Sequence, residues 1–234
     1  MRYVPSDKIK AEDTAYDKLA SKSWAVKTGR LEGIIKKYGM PKLGRALDIG
    51  CASGSTGLFL KQFFSEIYGT DISPYLVGGA KELIKFSKVD LNFERLPYPD
   101  GNFDVVTAFQ VVEHLENPFF IMREAHRVLR PGGFFMLSIP NPFQITYRLK
   151  FLLWGNMPPY AKHNNHLLFM TRDVFAKTYL DNFDLVETIY QKGDIPLWGR
   201  LRIIFGKKLI GKHKKILPPS EMLGRCICYI LKKK

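Results

Sequence analysis

No stretch of this chain approaches the ~18 uninterrupted apolar residues that a bilayer crossing needs. The opening "MRYVPSDKIKAEDTAYDK" is polar and charged, without the apolar core of a secretory signal. The expectation is a cytoplasmic protein with no transmembrane segment. Cysteine is scarce: Cys51, Cys226 and Cys228 form an odd set without Cys-x-x-Cys spacing. That argues against a disulfide framework and a zinc ribbon, and fits reduced thiols. Internal repeats and low-complexity tracts are missing as well. Acidic residues are few, 22 Asp and Glu against 36 Lys and Arg, which leaves a formal charge of +14.

That excess is uneven. Residues 191–234 hold twelve Lys or Arg against only Asp194 and Glu221. Such a surface suits nucleic acid, an anionic membrane or an anionic substrate, and net charge does not choose among them. What is plentiful is apolar content, 46% of 234 residues, enough for one sizeable core. We therefore read one domain: a helical cover over 1–43, a cofactor-binding half over 44–140, an insertion over 141–170, and C-terminal strands over 171–234 with a basic segment at 195–223.

Short apolar runs alternate with longer helical patterns, the rhythm of βαβ units in an α/β fold with a mostly parallel sheet. "RALDIG" (45–50), "EIYGTD" (66–71), "FDVVTAF" (103–109) and "GFFMLSIP" (133–140) read as strands. "TGLFLKQFF" (56–64) reads as a helix, and "SPYLVGGAKELIKF" as another with Ser73 as cap and Pro74 in its first turn. "PFFIMREAHRVLR" reads as a helix ended by the Pro-Gly-Gly at 131–133. "TRDVFAKTYLDNF" is a late helix, "DLVETIYQ" the strand after it, and "RCICYILKK" a last strand, antiparallel if it folds back on its predecessor.

"LDIGCASGSTG" (47–57) places a glycine-rich turn between the first strand and its helix, where doubly wound folds bind nucleotides. A dinucleotide fingerprint starting at Gly50 would need glycines where Ala52 and Ser55 stand, so a pyrophosphate seat is a poor fit. Asp71 ends the second strand, and a carboxylate there can accept both ribose hydroxyls of an adenosine. Asp90 follows "FSKV" and could meet an exocyclic amine. Taken singly, these glycines and acids also read as turn and cap residues of an ordinary α/β domain.

Taken together, "LDIGCASG", "YGTDIS", "VDLNFERLPYPDGNFDVV", "QVVEHLENP" and "RVLRPGGFFMLSIPN" resemble the ordered motifs of class I S-adenosylmethionine-dependent methyltransferases, over about residues 30–190. Within that family the likeness is to small-molecule and quinone-type O-methyltransferases, which also carry a His before a helix start, here "HLLFMTRDVF". The resemblance implies a Rossmann-like seven-stranded sheet in the order 3-2-1-4-5-7-6, its last strand antiparallel, and S-adenosylmethionine as cofactor with S-adenosylhomocysteine as product. Ala52 stands where glycine is commoner. By the same resemblance Asp48, Gly50, Cys51, Ala52 and Gly54 line the methionine end. Asp71 and Ile72 hold the ribose, Asp90 and Leu91 frame the adenine, and Phe109 and Gln110 sit beside the sulfonium.

An acceptor that must lose a proton needs a base. Glu113 and His114 follow the fourth strand, while His163 and His166 follow the insertion, and all belong at the carboxyl edge of the sheet. An imidazole titrating near neutral pH makes His114 or His166 suitable, with Glu113 beside them. "QVVEH" also resembles the Glu-x-x-Glu-His that binds a divalent metal, with a later His, in small-RNA 2′-O-methyltransferases and some quinone methyltransferases. Gln110 replaces the first acid, so the main expectation is no metal. Glu113, His114 and His166 would be the ligands of the secondary one, and the alternative role for Glu113 and His114 is to cap the helix near Asn117. His126 and His213 read as solvated.

Three additions to the sheet carry acceptor recognition on this reading. The N-terminal part offers Tyr16 and Trp24 as a cover. The insertion (141–166) offers Phe143, Tyr147, Phe151, Trp154 and Tyr160 as walls for an apolar or aromatic acceptor. The basic segment sets Trp198, Leu201 and Phe205 among cations, a pattern for a helix on an anionic membrane or for a solvated cover. The leading function is methyl transfer to a small or lipid-like acceptor, most naturally at oxygen, with peripheral membrane contact as a further option. An RNA methyltransferase using the basic arm and a non-catalytic cofactor-binding domain are the alternatives.

Overall fold

Uninterrupted apolar runs build the centre of the sheet. In the computed structural model, which describes residues 30–40, 44–161, 165–191 and 221–234, helix α1 (Arg30–Lys37) precedes strand β1 (Arg45–Ile49). Helix α2 (Ser55–Leu60) leads to β2 (Glu66–Asp71), and the single turn α3 (Ala80–Leu83) to β3 (Ile84–Lys88). β4 (Phe103–Phe109), α4 (Pro118–Val128), β5 (Leu129–Pro140) and α5 (Ile145–Trp154) follow, then α6 (Arg172–Tyr179), β6 (Phe183–Tyr190) and β7 (Cys226–Lys233). β7 inserts between β5 and β6 and runs antiparallel to both. The sheet order is β3-β2-β1-β4-β5-β7-β6, as the resemblance implied.

Both faces of the central strands are covered, which is why they read as continuous apolar runs. Successive residues point to opposite faces, so each strand feeds two cores. Ala46, Val105, Met136 and Ile230 meet Leu31 and Ile34 of α1 and Leu60 of α2. Their neighbours Leu47, Val106, Phe135 and Tyr229 meet Ile121 of α4 and Phe175 of α6.

The reading of residues 73–86 as one helix is corrected. Gly78 lies at φ +53, Ser73 caps nothing, and Gly79 precedes the one-turn α3. Ile84–Lys88 then pairs in parallel with β2, Ile84 opposite Ile67. Cross-strand burial of Ile84 and Phe86 outweighs the helix propensity of their neighbours. The Pro-Gly-Gly expected to end α4 lies inside β5, at a register shift opposite Phe103–Val105 with Gly132 at φ +71. α4 is ended instead by Lys233, whose ammonium donates to the carbonyls of His126 and Leu129. α2 stops at Leu60, short of Phe64. No helix among the described residues is long and apolar enough to cross a membrane. Tyr16, Trp24, His163, Trp198, Leu201, Phe205 and His213 lie outside the described residues.

Candidate functional site

The turn after β1 is fastened to β2 by backbone. Gly50 and Cys51 both donate to the Thr70 carbonyl, at 2.8 and 3.0 Å. Gly50 (φ +66), Ala52 (φ +43) and Gly54 (φ +83) carry the chain through the left-handed region, where only glycine sits without strain. A Cβ on Gly50 would lie 2.4 Å from Val111 Cγ2, and one on Gly54 would lie 2.6 Å from Ala80 Cβ. Close packing of protein on the turn thus dictates these glycines, and that packing fixes the shape a ligand would meet.

Asp71 closes the arrangement. Its Oδ2 accepts the Ala52 N–H at 2.9 Å, and its Oδ1 accepts the Ile72 N–H at 2.7 Å. A carboxylate oxygen can accept more than one hydrogen bond. The Asp71 carbonyl accepts Val89 N–H at 3.0 Å, which brings Asp90 and the buried Leu91 alongside. Asp90 turns the chain through its Oδ1, an acceptor for Asn92 N–H. Asp48 is buried inside β1, where its Oδ1 accepts the Thr107 hydroxyl at 2.6 Å across the parallel pair. Burial pushes its carboxyl up to about 7 against the Thr107 bond, with the Asp71 charge adding to the rise. Thr107 went unnoticed in the sequence; its signal is the register that sets it opposite Asp48. The set of a glycine turn, a strand-end carboxylate on backbone donors and a second acid beside a buried Leu fits an adenosine-bearing cofactor.

The second cluster lies beyond β4. Phe109 is half-buried, and Gln110 (φ +58) bends the chain there. Its N–H bonds to the Ser138 carbonyl and hydroxyl, and its side-chain amide donates to the same hydroxyl at 3.1 Å. Beyond the bend Glu113 lies fully inside, at 0% exposure, and neither carboxylate oxygen has a hydrogen-bond partner among the described residues. Desolvation alone lifts its carboxyl to about 8. The Glu113 carbonyl accepts the Leu167 N–H at 2.6 Å, which docks the His166 segment on the turn. The rings of His114 and His166 meet edge to face with centroids 4.7 Å apart.

The expected near-neutral titration of these histidines is corrected. Burial, then the nearby His166, holds His114 down to about 4, and burial lowers His166 as well. Both are neutral imidazoles at pH 7. The capping alternative is also set aside, since Asn117 itself caps α4 by accepting Phe120 N–H. Ligand atoms of Glu113, His114 and His166 lie within 4.8 Å of one another. Metal–ligand distances of ~2.1 Å allow ~4.2 Å between two ligand atoms, so an ion would draw the three slightly inward. The Gln110 side chain is held by Ser138 and Cys226.

Of the insertion aromatics, Tyr160 lies beside His166, ring centroids 6.2 Å apart. Phe143 is half-buried under the guanidinium groups of Arg148 and Arg172, and Tyr147 is half-buried. Phe151 and Trp154 are exposed. Cys226 at the start of β7 was also missed; its thiol donates to Gln110 Oε1 at 3.6 Å, and burial pushes it up to about 12. The three cysteines are free. His126 is half-buried with its ring 5.2 Å from that of Phe183, a packing residue and not a solvated one.

Residues 47–137 match the family described as a methyltransferase domain. A probable S-adenosylmethionine-dependent methyltransferase from Mycolicibacterium smegmatis is 36% identical over 104 residues, 43% of this chain and 39% of that protein. A ubiquinone biosynthesis O-methyltransferase from Xanthomonas campestris pv. campestris is 28% identical over 126 residues, 51% of this chain and 52% of that protein. The chain thus spans about half or less of the length of these relatives. In fold it is similar to a possible histamine N-methyltransferase from Thermotoga maritima, with a TM-score of 0.62 at 18% identity over 94% of this chain and 95% of that one. Sheet order, turn geometry and the match over residues 47–137 together make this chain similar to S-adenosylmethionine-dependent methyltransferases.

Proposed function

We propose that the protein transfers the methyl group of S-adenosylmethionine to a hydroxyl oxygen of a small or lipid-like acceptor. The observation that carries this reading is the juxtaposition, at one carboxyl edge, of the Gly50–Gly54 turn fastened to Asp71 and the group of buried Glu113 with half-buried His114 and His166. The likeness to the Xanthomonas O-methyltransferase supports oxygen as the accepting atom.

When bound, S-adenosylmethionine supplies a methyl group already made electrophilic by its sulfonium, so the chain's contribution is alignment, water exclusion and proton handling. Asp71 accepts the ribose hydroxyls, and the Asp90–Leu91 turn frames the adenine. Gln110, locked to Ser138, fixes the end of β4 between the two halves of the site. His114 or His166, each neutral at pH 7, receives the one proton that the acceptor hydroxyl gives up as its oxygen bonds to carbon. Glu113, with its carboxyl near 8, exchanges protons close to neutral pH, where general catalysis is most effective.

A second reading adds a divalent ion, favoured by the buried, partnerless Glu113 carboxylate. Glu113, His114 and His166 would hold it, and it would lower the pKa of an oxygen bound to it. Elemental analysis of the protein, and titration with Zn2+ and Mg2+, test that addition.

The main test is calorimetric titration with S-adenosylmethionine and S-adenosylhomocysteine, with NAD as control, followed by mass-spectrometric screening of phenols, quinol precursors and hydroxylated lipids. Saturable binding of the two adenosyl ligands alone is the expected result. Absence of binding by either would overturn the proposal.

A further inference from the structure

α5 is built against the usual habits of a surface helix. None of its ten residues is buried, and it contains no acid, only the cations Arg148 and Lys150. Its last turn exposes four large apolar residues in succession: Phe151 at 55%, Leu152 at 79%, Leu153 at 64% and Trp154 at 69%. Gly155, at φ +66, ends the helix there. Scattered exposed apolar residues are ordinary, but a contiguous knob of this kind marks a surface meant to be covered.

Charge indicates the cover. The first N–H of α5, on Ile145, donates to the Met222 carbonyl at 2.8 Å, and Asn141 donates to the Glu221 and Gly224 carbonyls. The chain therefore arrives at the foot of α5 directly from residues 192–220, which hold eight Lys or Arg against Asp194 alone. The helix and that stretch of sequence both carry cations, which an anionic surface attracts. Apolar residues that bury at the acyl boundary, a Trp suited to the headgroup layer, and flanking cations are together the composition of an interfacial helix.

We propose that α5 is a membrane-docking element, its Phe151–Trp154 knob inserting into an anionic phospholipid surface while the flanking cations meet the headgroups. The turn Pro158–Tyr160 follows α5 in the chain. Exposed Phe169 packs against Tyr160, ring centroids 5.3 Å apart, and Tyr160 in turn neighbours His166. A docking helix a few residues before these rings suits an acceptor drawn from the lipid phase. Docking itself stands apart from methyl transfer: vesicle partition reads the one, and S-adenosylhomocysteine affinity reads the other.

The test uses the full chain with vesicles of phosphatidylcholine alone or mixed with phosphatidylglycerol. W24F/W198F leaves Trp154 as the only indole. Its emission is expected to shift to the blue on anionic vesicles, less on neutral ones. L152S/L153S, both at exposed positions, is expected to lower partition at least tenfold and to leave S-adenosylhomocysteine affinity unchanged. Partition that survives L152S/L153S, or vesicle binding with no Trp154 shift, would overturn the proposal in favour of binding by the basic segment alone. A blue shift that grows with protein concentration without vesicles would replace the membrane by a second copy. A shift on single-stranded RNA but not on vesicles would replace it by nucleic acid.

Discussion

The two halves of the candidate site are finished to different degrees. On the β1–β2–β3 side the carboxylates are engaged within the protein: Asp48 with Thr107, Asp71 with Ala52 and Ile72, Asp90 with Asn92. Beyond β4, Glu113 is buried with neither oxygen satisfied, and neutral His114 and His166 crowd beside it. A buried carboxylate without partners costs stability that an apolar side chain would not. The first half is a mould set before any ligand arrives. The second is held in a state that something else must complete, and such local conflict is where function is sought.

The largest effect should come from breaking the mould. Gly50→Val combines a positive φ with a Cβ 2.4 Å from Val111. It should destabilise the fold by about 3 kcal/mol or more and abolish S-adenosylhomocysteine binding, as read by thermal melts and calorimetry. Binding at wild-type strength would mean that the turn does not shape the cofactor seat.

Asp71→Ala comes next. Loss of a charged acceptor costs about 1.5–3 kcal/mol, so cofactor affinity should fall roughly tenfold to a hundredfold, with Asp71→Asn in between. The Ala52 and Ile72 N–H groups lose their acceptor too, so urea unfolding should also move to lower concentration.

Glu113→Leu should do the opposite to stability. Replacing an unsatisfied buried carboxylate by an apolar group of similar size should raise resistance to urea by about 1–3 kcal/mol. Cofactor affinity should hold and turnover should disappear. A destabilised Glu113→Leu would mean the carboxylate has a structural partner, and the contrast between the two halves would collapse.

The smallest effect is a slope. Asp48 carries its proton up to about 7 in the folded protein, against ~3.9 in an unfolded chain. The folded state therefore binds the extra proton between those values, and stability falls as pH rises through that window, by at most about 1.4 kcal/mol per pH unit. Asp48→Asn should flatten this dependence in urea titrations at pH 5, 6 and 8. An unchanged slope would assign it elsewhere.

How far these features could be read from sequence depends on the range of the interaction that decides each one. Strands β1, β2 and β4 were legible because burial on both faces writes itself into consecutive residues, as in "FDVVTAF". Asp71 was legible because a strand end and an acid are both local. β3 was not: Lys81, Glu82 and Leu83 are good helix formers, and only pairing with β2, seventeen residues away at Ile67–Ile84, turns the chain extended. Gly50 announced a turn, but Val111, the side chain that forbids a Cβ there, lies 61 positions on. Glu113, His114 and His166 were visible as chemistry. Their burial, which makes the histidines neutral and the carboxyl reluctant to ionise, belongs to the packed structure alone. Phe151 and Trp154 were read as pocket walls because aromatic content says nothing of which way a helix points.

One feature of the sheet bears on how the molecule is made. Among the described strands β7 is synthesised last, and yet it belongs between β5 and β6. Until it emerges, the hydrogen-bonding edge of β5 stays open, with Phe135 and Leu137 beside it, and β6 has no neighbour at all. An open apolar edge is a template for pairing with the wrong chain. Strands β1 to β4 can therefore pair before Cys226 is made, while the far side of the sheet waits for it, so the seam between the two halves of the candidate site is also a seam in time.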